Sequence, residues 1–144
     1  MTTEAPISVR NAQRRVRVEL ESLRDFAWRA LRYCTAQTSP SQTSLTKHST
    51  LHVVLISDAR MAALHKKFMN IDGPTDVLTF QHGEIFISVE TAQQNAARFR
   101  TSLEHELRLY LVHGLLHLQG FDDISASQAA VMAKLQSQIV AASA

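Results

Sequence analysis

Two histidines four positions apart, His113 and His117, are the residues of this chain best suited to chemistry. On a helix, residues four apart project from one face, so both imidazoles can reach a single ion. Gly120 follows where a helix would end in a left-handed glycine that turns the chain back. That turn can bring Asp122 or Asp123 beneath the two rings. Two imidazoles, a carboxylate and an open fourth position describe a catalytic zinc site with a metal-bound water.

Gly114, between the two histidines, limits what kind of metalloenzyme this can be. A zincin protease carries glutamate at this position as its general base, so the glycine argues against a peptidase. Glycine inside a helix also costs about 1 kcal/mol relative to alanine, so we expect another backbone or a ligand to approach closely here. No side chain can be identified from the sequence as a general base. A histidine pair of this spacing also occurs without metal, hydrogen-bonded to backbone or to a carboxylate.

The elements that position these residues follow from the pattern of apolar side chains. Alternation and β-branched runs predict strands, and spacings of three and four residues predict helices. The predicted order is β-α-β-α-β-β-α-α-α, with strands at 7–9, 51–56, 77–80 and 84–88, and helices at 16–36, 58–68, 89–99, from 101 and from 125. We therefore expect an α/β (α+β) single domain, residues 1–144, with a small mixed sheet of about four strands packed with about five helices.

Several side chains carry more detailed expectations. Residues 101–104 have the form of a capping box that opens one helix, and residues 125–128 are expected to open the last helix. His52 is expected to be a hydrogen-bonded core residue, and His82 is expected to face the functional cleft. The inward face of the last helix is predicted to consist of Val131, Met132, Leu135 and Ile139.

Composition places the chain among foldable globular domains. It has 144 residues, of which 45% are hydrophobic and 19% are charged. The single cysteine, Cys34, excludes an intramolecular disulfide and a cysteine-based zinc finger. The sequence shows neither a signal-peptide pattern nor an apolar run long enough to span a membrane, so we expect a cytoplasmic protein.

Charge is unevenly divided along the chain. Residues 1–72 hold 11 Lys and Arg against 6 Asp and Glu, whereas residues 73–144 hold 4 against 7. A basic half beside an acidic half suits a polyanion-binding surface next to a cation site. Uneven solvated faces explain the same counts equally well.

Three segments resemble the YbeY family of bacterial ribosomal-RNA maturation endoribonucleases. Residues 74–80 (Pro-Thr-Asp-Val-Leu-Thr-Phe) are similar to the family's Pro-Thr-(Asp/Asn)-Val-Leu-Ser-Phe, and residues 83–85 (Gly-Glu-Ile) to its Gly-Asp-Ile. Residues 113–123 (His-Gly-Leu-Leu-His-Leu-Gln-Gly-Phe-Asp-Asp) are similar to its His-Gly-x-Leu-His-Leu-x-Gly-Tyr-Asp-His. The resemblance covers most of the chain from about residue 51 onward.

This resemblance implies a small mixed sheet packed with helices and a zinc-dependent, single-strand-specific endoribonuclease. Its expected roles are 3′-end processing of small-subunit rRNA and ribosome quality control, with rRNA and the small ribosomal subunit as partners. His113 and His117 fall on the first two zinc-ligand positions, and one Zn²⁺ is expected per chain. Because the sequence contains few aromatic residues, RNA contacts are expected mainly to the backbone.

The sequence departs from the family pattern at two positions. Asp123 stands where the third ligand is usually histidine; a carboxylate is also a zinc ligand, but another divalent metal becomes possible. Met69 stands where an arginine is usual, and Lys66 and Lys67 are the candidates to replace it as substrate-binding residues. RNA steering is also expected from four arginines of the first helix, Arg17, Arg24, Arg29 and Arg32.

Two other functions compete with RNA cleavage. A ribosome-assembly binding factor with a structural or vestigial metal site is compatible with both departures. A metallopeptidase is disfavoured by Gly114.

Overall fold

The computed structural model describes residues 7–48 and 50–144. Residues 1–6, which bear on the expectation about a signal peptide, lie outside the described residues. The elements are β1 (Ile7–Asn11), α1 (Leu20–Thr35), a 3₁₀ turn (Leu45–Lys47), β2 (Leu51–Ile56), α2 (Asp58–Met69), β3 (Val77–Phe80), β4 (Glu84–Ser88), α3 (Val89–Phe99), α4 (Leu103–Leu118) and α5 (Ala126–Ser143). Their order is the predicted one.

The four strands form one mixed sheet in the order β1-β2-β4-β3. β1, β2 and β4 run parallel, and β3 pairs antiparallel with β4 as an edge strand. The hydrophobic pattern of β2 explains its central place, because a strand covered on both faces is apolar nearly throughout. The predicted fold class, a small mixed sheet packed with five helices, is confirmed.

The two faces of the sheet bury different cores. One face packs against α1, α3, α4 and α5 in the main core, which includes Phe26, Leu55, Ile85 and Leu115. On the other face, α2 packs over a smaller cluster of Val54, Ile56, Met61 and Phe86. The metal-ligand candidates therefore belong to the thicker side of the domain.

The first helix begins later than predicted. Instead of starting at residue 16, α1 starts at Leu20. The Gln13 side chain explains the delay, because its Oε1 accepts hydrogen bonds from the backbone N–H groups of Arg15 (3.0 Å) and Val16 (2.9 Å). These bonds hold a turn that the apolar spacing does not reveal.

The caps of the last two helices differ in how well they were predicted. Ser102, not Thr101, caps α4 by accepting from the backbone of His105 at 3.0 Å. Thr101 instead donates to the Glu106 carboxylate at 2.7 Å. Residues 125–128 open α5 as expected, and Ser125 and Gln128 form a capping box there.

On α5, the expected inward face is partly wrong. Met132 and Ile139 are buried and Leu135 is half-buried, but Val131 is 53% exposed. Adjacent helical residues point about 100° apart at 3.6 residues per turn, so Val131 and Met132 do not share the inward stripe. In the described part of the chain, no helix is both long and apolar enough to span a membrane.

Candidate metal centre

The histidine pair lies near the end of α4, a helix that is buried along most of its length. His113 and His117 are half-buried, with side-chain exposures of 24% and 22%. Gly114 packs directly against β4, where a Cβ atom would lie 2.7 Å from Cγ2 of Ile85. The expectation of a backbone or ligand at this glycine was therefore wrong, because the close neighbour is a core side chain.

A Schellman motif ends α4 and reverses the chain. Gly120 has φ +107°, its N–H donates to His117 O at 3.0 Å, and the N–H of Phe121 donates to Leu116 O at 3.0 Å. A Cβ atom on Gly120 would run into the hydroxyls of Ser39 and Ser41. The glycine is therefore required both by the backbone conformation and by the space, and the reversal carries Asp123 back to the histidines.

Three ligand atoms converge at this turn. His113 Nε2 lies 3.0 Å from His117 Nε2, and the Asp123 carboxylate oxygens lie 3.5 Å from His113 Nε2 and 3.8 Å from His117 Nε2. Metal–ligand bonds of about 2.0–2.2 Å in a tetrahedron place ligand atoms about 3.3 Å apart. The arrangement therefore fits one tetrahedral ion with a fourth position open.

The hydrogen bonds of the far ring nitrogens fix the orientation of both imidazoles. His113 Nδ1 lies 2.8 Å from Gln136 Oε1 on α5, and His117 Nδ1 lies 3.1 Å from Phe121 O. Since both partners are acceptors, both Nδ1 atoms carry the proton and both Nε2 atoms present lone pairs to each other. Two lone pairs 3.0 Å apart repel unless a cation lies between them.

Burial favours the neutral imidazole that metal ligation needs. It lowers the pKa of His117, the neighbouring His113 lowers it further, and the Asp123 carboxylate acts in the opposite direction. His117 is therefore held unprotonated near neutral pH. The donor set, its spacing and its protonation together suit a divalent cation.

A pocket of about 290 Å³ opens beside the cluster, between β3, α4 and α5. His113 and Asp123 form one wall, and Asp76 and Tyr110 are among its other lining residues. Burial raises the pKa of Tyr110 to about 12, so its hydroxyl stays protonated. The site therefore joins a cation-binding cluster to a space for a small polar group.

The structure resolves which aspartate reaches the histidines. Asp123 joins them, with all three ligand atoms within 4.8 Å of one another. Asp122 points elsewhere, and its Oδ1 accepts a hydrogen bond from the backbone of Asp123 at 2.9 Å. Asp122 therefore contributes no ligand atom to the cluster.

The predicted substrate-binding lysines lie on another part of the molecule. Lys66 and Lys67 are exposed near the end of α2 and do not line the pocket beside the histidines. Lys66 Nζ pairs with Asp72 at 3.2 Å, and Lys67 Nζ lies 5.3 Å from the ring centre of Phe68. Met69, in place of the family's arginine, is 56% exposed beside them.

The arginines expected to steer RNA are partly engaged in the fold. Arg24 Nε donates to Val9 O at 3.1 Å, and Arg29 Nε donates to Ser143 O at 2.7 Å. Arg17 precedes the helix and pairs with Glu19 at 3.7 Å. These contacts engage Arg17, Arg24 and Arg29 within the protein. The region is therefore less suited to binding phosphate than its positive charge suggested.

Two other histidines were misplaced by the sequence interpretation. His52 is bonded to Ser8 at 3.0 Å but is exposed, so it is not a core residue. His82 lies in the turn between β3 and β4, bonded to Glu84 at 2.6 Å, and does not line the pocket beside the metal-ligand candidates. Both belong to the opposite face of the sheet.

Gln136 is the site residue that the sequence interpretation missed. It shares the inward stripe of α5 with Met132, Ile139 and Val140. A polar side chain on an otherwise apolar stripe was the available signal, because a buried amide needs a partner.

Comparison with known proteins supports the resemblance. A family model described as Endoribonuclease YbeY matches residues 8–144. A protein named Endoribonuclease YbeY from Treponema pallidum (strain Nichols) is 34% identical over 109 residues, covering 65% of this chain and 68% of that protein. Another of that name from Mycolicibacterium smegmatis is 37% identical over 109 residues, covering 62% of this chain and 61% of that protein.

A solved structure shares the fold. The solution structure of TM1509 from Thermotoga maritima superimposes with a TM-score of 0.66 at 25% sequence identity, covering 95% of this chain and 88% of that one.

Proposed function

Because the chain belongs to the endoribonuclease YbeY family, a family of nuclease hydrolases, we propose that it is a metal-dependent endoribonuclease that processes ribosomal RNA. The proposal treats residues 1–144 as one endoribonuclease domain. It assigns one divalent ion, Zn²⁺, to His113, His117 and Asp123.

The convergence of the two Nε2 atoms and the Asp123 carboxylate supports this proposal most strongly. Their separations of 3.0, 3.5 and 3.8 Å suit a single tetrahedral cation. The Nδ1 bonds to Gln136 and to the backbone of Phe121 hold the rings in the tautomer that such an ion requires.

A Zn²⁺ ion held here would act as a Lewis acid on a phosphate oxygen and lower the pKa of a water in the same site. The protein's own residues would position the substrate. The pocket of about 290 Å³ beside His113 offers space for a phosphodiester. Tyr110 on its wall stays protonated because its pKa is raised to about 12, and its hydroxyl accepts a hydrogen bond from Asn95 Nδ2 at 2.6 Å. Gly114 leaves no room for the general base of a zincin protease, since its Cα faces Ile85.

The proposed substrate is single-stranded RNA at the 3′ end of small-subunit rRNA, with the small ribosomal subunit as partner. Ribosome quality control and a cytoplasmic location follow from the same family resemblance. The names of the relatives, all Endoribonuclease YbeY, support RNA as the substrate class.

Cleavage of a labelled RNA that spans the mature 3′ end of small-subunit rRNA and its downstream flank tests the function. We expect discrete products from the single-stranded flank, none from the same sequence annealed to its complement, and no cleavage after chelation. Zn²⁺ added back to the chelated protein restores cleavage.

The alternative of a binding factor makes the opposite prediction for the same assay. If the protein binds this RNA with equal affinity before and after chelation but produces no cleavage, the endoribonuclease assignment is wrong. Asp123→Ala and Asp122→Ala form the matched pair for this test, because only the first removes a ligand atom.

A further inference from the structure

The face of the sheet that packs against α2 has an uncovered end. In this end, one register row crosses all four strands, with Ser8 opposite His52, His52 opposite Glu84, and Glu84 opposite Phe80. Ser8 and His52 are exposed, and Phe80 and Glu84 are partly exposed. A shallow pocket of about 260 Å³ is lined by Ser8, Arg10, His52 and Glu84. Since neighbouring strands lie about 4.8 Å apart, the row is about 14 Å long.

Three rings lie together at the β3 end of this row. Phe68 meets Phe80 edge to face at 5.1 Å, and His82 stacks on Phe80 at 5.8 Å with 28° between the ring planes. Phe68 is 54% exposed and the His82 side chain is 69% exposed. We refer to Phe68, Phe80 and His82 as the ring cluster. Exposed rings in contact with one another form the type of platform on which nucleobases stack.

The charges around the ring cluster favour a polyanion. Lys67 Nζ lies 5.3 Å from the Phe68 ring centre, and Lys67 and Arg10 form no ion pair with any residue in 7–48 or 50–144. Of the nearby carboxylates, Asp72 pairs with Lys66 at 3.2 Å, and Glu84 is hydrogen-bonded to His82 at 2.6 Å. The surface therefore carries the unpaired charge of Lys67 beside its rings and that of Arg10 at the opposite edge of the sheet, on β1.

Strand β3 connects the ring cluster with the metal centre. Asp76, immediately before the strand, lines the pocket beside His113, and Phe80 ends the strand. Four residues of strand span about 13 Å. Because β3 is the edge strand of the sheet, a single-stranded RNA that leaves the pocket would pass around this edge to reach the rings on the other face.

We propose that the ring cluster binds single-stranded RNA by base stacking, while Lys67 and Arg10 contact its phosphates. This inference rests on the proposed endoribonuclease function and adds a substrate-binding surface to it. It also changes the expectation of contacts mainly to the RNA backbone, because the fold brings together aromatic residues that are far apart in sequence.

Binding of a fluorescein-labelled single-stranded oligouridylate in EDTA, measured by fluorescence anisotropy on the full chain, tests the proposal. Phe68→Leu keeps the apolar bulk but removes the ring, and we expect it to weaken binding by about fivefold or more, since stacking contributes about 1–3 kcal/mol per base. Phe68→Tyr keeps the ring and should bind within twofold of wild type. Lys67→Gln should lower the slope of log affinity against log salt by about 0.7.

Phe99 supplies the matched control. It is 58% exposed at the end of α3, with the Arg98 guanidinium 5.3 Å from its ring centre, but no second ring of the described residues lies beside it. Phe99→Leu should leave binding unchanged. Thermal melting of each variant verifies that the fold is intact.

The outcomes separate the two proposals. If Phe68→Leu binds as tightly as wild type while wild type cleaves RNA, the ring cluster proposal is overturned and the endoribonuclease stands. Equal weakening by Phe68→Leu and Phe68→Tyr also overturns stacking. If wild type binds RNA but does not cleave it, the proposed function fails while the ring cluster result still stands.

Discussion

The ends of α4 and α2 present two different kinds of surface. At the end of α4, Gly114 packs against Ile85, and each histidine ring is held through its Nδ1 atom. At the end of α2, by contrast, Phe68 and Met69 are 54% and 56% exposed. One helix end is fixed by its neighbours, and the other presents its side chains to solvent.

This difference follows from what each surface would bind. An ion needs ligand atoms held to within about 0.5 Å, so its site needs supporting contacts around each ring. A single-stranded polyanion gains affinity from several independent stacking and phosphate contacts, so its site tolerates mobile side chains. We therefore expect a substitution at the end of α4 to lower the rate of catalysis strongly. A substitution at the end of α2 is expected to lower the affinity for the substrate by a smaller factor.

The largest effect is expected from His117→Ala. Removal of one of two imidazole ligands should reduce kcat to the level of the chelated wild-type protein, because the remaining donors no longer enclose an ion. RNA binding in EDTA should be unchanged, since the ring cluster is intact. Steady-state cleavage and anisotropy measure the two quantities separately.

His105→Ala is the control for this substitution. His105 is an exposed histidine on the same helix and lies outside the ligand group. Should His105→Ala and His117→Ala reduce kcat equally, the assignment of different roles to the two positions would be wrong.

A smaller effect on the same centre is expected from Gln136→Leu. The substitution removes the acceptor 2.8 Å from His113 Nδ1, and loss of such a supporting hydrogen bond lowers metal affinity about 10–100-fold. Isothermal titration with Zn²⁺ measures the change. Gln138→Leu, on the exposed side of the same helix, should leave the affinity unchanged.

Two glycine substitutions compare the turn that ends α4 with the loop that follows α2. Gly120 and Gly73 both have positive φ, +107° and +85°, so alanine at either strains the backbone by about 1–3 kcal/mol. Gly120→Ala must also displace Ser39 and Ser41, whereas a Cβ on Gly73 meets nothing within 4 Å. We expect Gly120→Ala to lower the free energy of unfolding more, as measured by urea denaturation. Equal losses would show that the space around Gly120 does not matter.

The smallest effect concerns protonation at the pocket. Burial raises the pKa of Tyr110 to about 12, above its value of about 10 in an unfolded chain. As the pH rises, the unfolded state therefore loses the Tyr110 proton first. The contribution of this proton to the free energy of unfolding is complete below a pH of about 10 and is lost as the pH rises toward about 12. Ultraviolet titration of Tyr33→Phe, in which Tyr110 is the remaining tyrosine, measures the shift directly. Ionisation near pH 10 would contradict it.

Local sequence signals predicted much of the fold. The helix at 89–99 was predicted with the bounds that the structure has, since its apolar spacing begins directly after a strand. The beginning of α1 was not predicted, because the Gln13 side chain forms a turn that competes with the helix. Val131 was predicted to lie on the buried face of α5, but the orientation of the helix leaves it exposed.

The two functional surfaces also differ in how far local sequence signals predict them. His113, His117 and Asp123 lie within eleven residues of sequence, so one helix and one turn sufficed to predict their convergence. The contact of Phe68 with Phe80, in contrast, depends on the path of the loop between α2 and β3 and on how α2 lies on the sheet. Tertiary packing of this kind has no local signal. For Gln136, the polar position on an apolar stripe was a local signal, but its partner His113 lies on another helix and could not be predicted from that stripe.

Zinc titration of the metal-free wild-type, Asp122→Ala and Asp123→Ala proteins tests the central claim most directly. Adjacent and similarly exposed, these aspartates differ in that only Asp123 joins the two histidines. We predict one ion per chain for wild type and for Asp122→Ala, and markedly weaker binding for Asp123→Ala. Equal binding by all three proteins, or no binding by wild type, would contradict the assignment of His113, His117 and Asp123 as the metal centre.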